Sequence, residues 1–195
     1  MRAVRDYEEW GNEWPSDRGC ENLLQVRAAE EIHGALKAHG IGWLTLEQCV
    51  SEVSQQGTPR RGRYYQGMTD RQRVDVAVWS GACNIYGLIE IKREESTRAW
   101  RSDVTKLSRM LATFHRGRGN HLRWAVFGAL LTTNSARVAE AREKRLREVA
   151  CEVASNYGLG WRVDVDVDRQ RWNEGDQDGL SCGTATVILT RRVTR

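Results

Sequence analysis

Long apolar runs are missing from this chain of 195 residues. None approaches the ~18 apolar residues of a membrane span. The opening MRAVRDYEEWGNEWP also lacks the apolar centre of a secretory leader, so the protein is expected to be cytoplasmic and to have no membrane partner. Cysteine pairs are missing too. Cys20, Cys49, Cys83, Cys151 and Cys182 are odd in number, scattered and never in C-x-x-C spacing, which argues against a disulfide framework and against zinc. His33, His39, His115 and His121 show neither ligand nor triad spacing. There is no phosphate-binding glycine loop, no nucleophile elbow and no internal repeat, which removes the readings those motifs carry.

What remains is a soluble globular composition, 40% hydrophobic and 29% charged, at the size of a single domain. The net charge of +4 is modest, but it is unevenly spread. Residues 91–123 carry nine Lys/Arg against three acids, and residues 57–73 carry five Arg against Asp70. Residues 1–31 carry four Arg against eight acids. Two basic blocks of this kind suit a phosphate backbone.

The patterning predicts a first helix from about Asp17 to Ala38, capped by Ser16 or Asp17 and ended by Gly40 and Gly42. Leu24, Ala28, Ile32 and Ala35 form its apolar stripe, with Glu21 one turn ahead. Leu44 to Val53 reads as a strand, and GTPRRGRYYQG from Gly57 to Gly67 as a loop. Trp100, Val104, Leu107, Leu111 and Phe114 recur at helical spacing, giving a helix from Ala99 to His115 that exposes Arg98, Arg101, Lys106 and Arg109. Leu122 to Leu131 has the continuous apolar character of a central strand. A long charged helix through Val138 and Tyr157 follows, then WRVDVDVD and GTATVILT as two strands at the sheet edge.

Between the basic blocks lies RVDVAVWSGACNIYGLIEIK, Arg73 to Lys92. Period-two alternation puts Val74, Val76 and Val78 on one face of a strand and Asp75, Ala77 and Trp79 on the other. In the next strand Leu88, Glu90 and Lys92 share a face. A four-residue loop, Gly81-Ala82-Cys83-Asn84, joins them and sets a register in which Ser80 opposes Ile85 and Asp75 opposes Glu90. Opposed like charges are unfavourable unless a cation lies between them.

Asp75 and the tripeptide Glu90-Ile91-Lys92, in this setting, resemble the PD-(D/E)XK nuclease superfamily over roughly Cys20 to Leu131. Val74 stands where the family name has Pro. The resemblance implies a restriction-endonuclease-like α/β fold, a central mixed sheet flanked by helices in the order α-β-β-β-α-β and then α-β-β. The whole chain is then one domain, with an extension at 1–15, a core at about 16–131 and an α-β-β addition at 132–195. It further implies hydrolysis of phosphodiester bonds, most simply in DNA, with Mg²⁺ as cofactor and Mn²⁺ as a substitute. Asp75, Glu90 and Lys92 take the catalytic positions. Asp75, Glu90 and the Ile91 backbone carbonyl take the metal, and Glu21 is a further candidate ligand, set against an ordinary first-turn Glu favoured by the helix dipole. Whether Lys92 acts as a base stays open. Arg60, Arg61, Arg63, Arg73, Arg93, Arg98, Arg101, Lys106 and Arg109 are the nucleic-acid candidates.

Asp164, Asp166 and Asp168 alternate with apolar residues and read as a solvated strand face. Asp176 to Gly179 reads as a turn. A chain this short leaves little room for a recognition domain, so a homodimer or a protein partner is expected to supply specificity. The alternative to an enzyme is a catalytically idle nuclease-fold module that binds nucleic acid or a protein.

Overall fold

The computed structural model describes residues 21–40, 42–56, 69, 71–81, 84–93, 96–114, 122–133, 135–167 and 181–191. In chain order these form α1 (Glu21–Ala38), β1 (Trp43–Cys49), α2 (Val50–Gln56), β2 (Arg73–Trp79), β3 (Ile85–Lys92), α3 (Thr97–Thr113), β4 (Trp124–Thr133), α4 (Ala136–Asn156), β5 (Leu159–Val167) and β6 (Ser181–Arg191). The fold is α/β: one six-stranded mixed sheet in the order β1-β2-β3-β4-β6-β5, with helices on its faces. Only β3 and β4 run parallel, joined by α3 as a crossover. Among the described residues no helix is long and apolar enough to cross a membrane.

Alternation decides which side chains meet which helices. Ala77, Trp79, Leu88, Ala125, Phe127, Val187 and Leu189 form the larger core with Trp100, Val104, Leu107 and Leu111 of α3 and Leu146, Val149 and Val153 of α4. On the other face Val76, Val78, Ile89 and Ile91 pack against Leu24, Ala28, Ile32 and Leu36 of α1. The stripe on α1 therefore ends on Leu36, not on Ala35, which is exposed.

Three expectations need correction. The strand expected to reach Val53 stops at Cys49, and α2 follows. Val50 and Val53, three apart, are fully buried on a single helical face, and Glu52 closes the first turn by accepting from the Cys49 N–H at 3.2 Å. Second, β6 lies inside the sheet between β4 and β5, so that of these two strands β5 alone is at an edge. It is the strand with buried Ala185, Val187 and Leu189, whereas β5 presents exposed Arg162 and Asp164, paired at 2.8 Å. Third, the β2–β3 register shifts near the loop, so Trp79 and not Ser80 opposes Ile85. The extra residue is Tyr86, whose carbonyl accepts from the Arg123 N–H at 2.8 Å and whose ring meets Trp124 edge-on at 6.3 Å. Gly87 makes room for that indole, since a Cβ there would lie 2.2 Å from Trp124.

Beyond the bulge the expected register holds, with Val78 opposite Gly87 and Val76 opposite Ile89. α3 starts at Thr97, with Ser96 as cap accepting from the Ala99 N–H, and ends at Thr113.

Candidate active site

At the end of β2 and β3 nearest α3, the ladder gives way to side chains. Pairing stops at Val76 and Ile89. Continued one step, the register sets Asp75 against Glu90. The Ile91 N–H donates not to a backbone carbonyl of β2 but to Asp75 Oδ2, at 2.5 Å. Asp75 thus closes the open end of the hairpin and is itself held in place.

Glu90 is almost wholly buried, its side chain 4% exposed. The Lys106 ammonium lies 2.7 Å from Glu90 Oε2, an ion pair at hydrogen-bonding distance. Lys106 also donates to the Arg73 carbonyl at 2.9 Å and lies 3.7 Å from Asp103. On the other side of Glu90, Lys92 Nζ stands 3.6 Å from Oε1 and donates to Glu21 Oε1 at 2.9 Å. Glu21, placed by α1, therefore reaches the cluster through Lys92.

Burial is the main influence on both acids. It pushes Asp75 above its ordinary carboxyl range, against the Ile91 N–H and the two lysines, which pull the other way. It pushes Glu90 up to about 7; Lys106 opposes the rise and the charge of Asp75 adds to it. Burial also raises Asp103, again against Lys106 and Lys92. For Lys92, burial alone would lower the value, but the Glu21 hydrogen bond and the charges of Glu90 and Asp75 outweigh it, so the ammonium is held above its ordinary range.

The structure thus brings Asp75, Glu90, Lys92 and Glu21 together. It adds Asp103 and Gln25, which the sequence pattern does not single out. Gln25 is buried and donates to the Asp75 carbonyl at 2.8 Å and to Glu47 Oε1 at 3.0 Å. Glu47 lies beside Asp75 on β1, with a left-handed φ of 51°, and Arg73 lies 3.8 Å from it. Both additions had a signal. Gln25 follows Glu21 by one turn, and Asp103 and Lys106, three apart, flank the apolar stripe of α3.

Arg73, Arg98, Arg101, Lys106 and Arg109 line one cleft of about 520 Å³, together with Asp103. Lys106 and Asp103 connect it to the carboxylates. Within it Arg101 pairs with Glu152, and Arg109 donates to the Tyr157 hydroxyl at 3.0 Å. Arg93 follows Lys92 at the end of β3 without lining the cleft. Arg60, Arg61 and Arg63 lie outside the described residues. Among the described residues no three acidic, His or Cys side chains form a ready-made cation cage. No protein-family model, curated protein or solved structure matches the chain.

Proposed function

We propose that this protein is a metal-dependent nuclease of the PD-(D/E)XK type, with a restriction-endonuclease-like core, that hydrolyses phosphodiester bonds in DNA. The observation that carries the reading is the meeting of Asp75 and Glu90 at the open end of one hairpin, with two ammonium groups against them and an arginine-lined cleft alongside.

The residues suit a hard divalent cation. Glu90 Oε2 is buried and already takes a cation, the Lys106 ammonium at 2.7 Å. Asp75, Glu90 and the Ile91 carbonyl would hold Mg²⁺ or Mn²⁺, and that carbonyl leaves β3 on the same edge as the N–H bound by Asp75. When bound, the ion would offset phosphate charge and lower the pKa of a coordinated water. The chain's own groups do the positioning. Gln25 and the Ile91 N–H fix the backbone and carboxylate of Asp75. Lys106 balances Glu90. Lys92, kept protonated by Glu21, supplies charge to the phosphate; as an ammonium it has no lone pair with which to take up a proton. The arginines of the cleft carry the flanking phosphates.

The test is cleavage of linear, nicked, branched and single-stranded DNA with Mg²⁺ or Mn²⁺. Wild type should cut at least one substrate, while Asp75→Asn, Glu90→Gln and Lys92→Ala should bind without cutting. Wild type that binds but cuts none would leave the rival reading, a non-cutting module.

A further inference from the structure

Five titratable side chains form one line through the open end of the hairpin. Glu21 accepts from Lys92 at 2.9 Å, and Lys92 stands 3.6 Å from Glu90 Oε1. Glu90 Oε2 meets Lys106 at 2.7 Å, and Lys106 stands 3.7 Å from Asp103. Acid and ammonium alternate along the line, so each carboxylate oxygen of Glu90 faces a cation that belongs to the chain itself. Among the described residues no three acids are grouped to hold a metal ion; these acids are grouped about two ammoniums instead.

The two ammoniums are held differently. Lys92 shares β3 with Glu90 and is anchored by Glu21 of α1, and its contact with Glu90 is the longer one. Lys106 comes from α3 and makes the closer contact. Its other short hold is one backbone carbonyl, that of Arg73 at 2.9 Å. Of the two, Lys106 alone lines the arginine cleft. A lysine carries a compact charge on a flexible four-carbon stem, so Lys106 can leave Glu90 by turning its own side chain, with α3 staying in place.

We propose that Lys106 is a tethered counterion that occupies the Glu90 side of the metal position, and that it withdraws into the arginine-lined cleft when a divalent cation is seated on Asp75 and Glu90. The inference rests on the nuclease reading for the ion and adds a gate on its loading. An ammonium and a divalent ion against one buried carboxylate repel each other strongly where the dielectric is low, so the closer ammonium gives way. Until then Lys106 keeps a buried charge from standing uncompensated, and the fold does not depend on the metal. Once released, the ammonium adds its charge to the cleft, on the side where phosphate is expected.

Mn²⁺ binding in the absence of DNA, read from the electron paramagnetic signal of the free ion, is the first readout. Lys106→Met should bind Mn²⁺ about tenfold or more tighter than wild type, the factor expected when a hydrogen bond to a charged group no longer has to be broken. Arg98→Met removes the same unit of charge from the cleft lining and should tighten binding far less. If Lys106→Met does not fold, Lys106→Gln carries the comparison, since its amide can still donate to the Arg73 carbonyl. The second readout needs only wild type. Acylation of Lys106 by an amine-reactive ester, located by mass spectrometry, should be slow in EDTA and faster with saturating Mg²⁺, while the exposed Lys37 and Lys144 react alike in both. Lys106 variants that bind no tighter than Arg98→Met, or Lys106 acylation that ignores saturating Mg²⁺, overturn the proposal. Mn²⁺ binding by neither wild type nor variants overturns it together with the metal centre. Tighter binding and faster acylation in a protein that cuts no DNA uphold it and remove only the nuclease reading.

Discussion

Glu90→Gln removes one charge from a side chain that is 4% exposed and keeps its shape. The Glu90 carboxyl moves from 4.5 to about 7 in the fold, and each pKa unit is worth about 1.4 kcal/mol. The sign follows from which state holds the proton more tightly. A raised carboxyl is protonated more readily in the folded chain, so its stability is full below the unfolded value and falls as pH rises through the folded one. Ionised Glu90 should therefore cost the metal-free fold about 3 kcal/mol near pH 8 and under about 1 kcal/mol near pH 5. Gln escapes that loss. Urea unfolding in EDTA should show Glu90→Gln more stable than wild type by about 3 kcal/mol near pH 8, roughly 1.5 M in midpoint at an m of about 2 kcal/mol/M. The advantage should shrink near pH 5. A variant no more stable than wild type near pH 8, or a difference that ignores pH, would refute the assignment of Glu90 as a buried, burdened carboxylate.

Four further outcomes are expected. Lys106→Met leaves that carboxylate without its nearest cation and should destabilise the chain by about 3 kcal/mol near pH 8, with little effect near pH 5, in the same unfolding assay. Asp75→Asn should reduce metal-dependent cleavage at least about 100-fold in single-turnover assays while DNA affinity holds or rises, because the metal would lose a charged ligand and phosphate a repelling one. Neutralising Arg73, Arg98 and Arg109 together should flatten log affinity against log salt by about 0.9 for each duplex phosphate that no longer meets a guanidinium; an unchanged slope would remove the cleft from the DNA path, and Arg60, Arg61 and Arg63 can be tested in the same way. Gly87→Ala forces a Cβ to 2.2 Å from the Trp124 ring and should lower stability by about 1–3 kcal/mol in thermal or urea unfolding.

The sequence carries the hairpin well, because two strands with strict alternation leave few ways to place Asp75 and Glu90. It locates α3 for a similar reason, since five apolar residues at helical spacing fix the buried face. It does not reveal the bulge at Tyr86, which depends on Trp124 in a strand some forty residues away along the chain. Nor does it reveal that Val50 and Val53 belong to a helix, because Leu44 to Val53 is apolar enough to satisfy either period. Lys106 has the helical position of a surface cation on α3. Its approach to Glu90 depends on how the crossover helix seats on the sheet, which local pattern does not encode.

The left-handed kink at Glu47 bears on how copies of this chain meet. β1 is an outer strand with Trp43 and Leu46 exposed at 38% and 41%, the kind of border that invites sheet-to-sheet growth between molecules. A φ of 51° at Glu47, whose carboxylate accepts from the Gln25 amide at 3.0 Å, turns the peptide groups there out of line without disturbing the pairing of Leu46 and Gln48 with β2. An incoming strand would find the outer row of donors and acceptors interrupted at mid-length. Gln25, which also holds the Asp75 carbonyl, thus ties this outer strand to the hairpin that carries Asp75 and Glu90, and losing it should be felt as turbidity on storage.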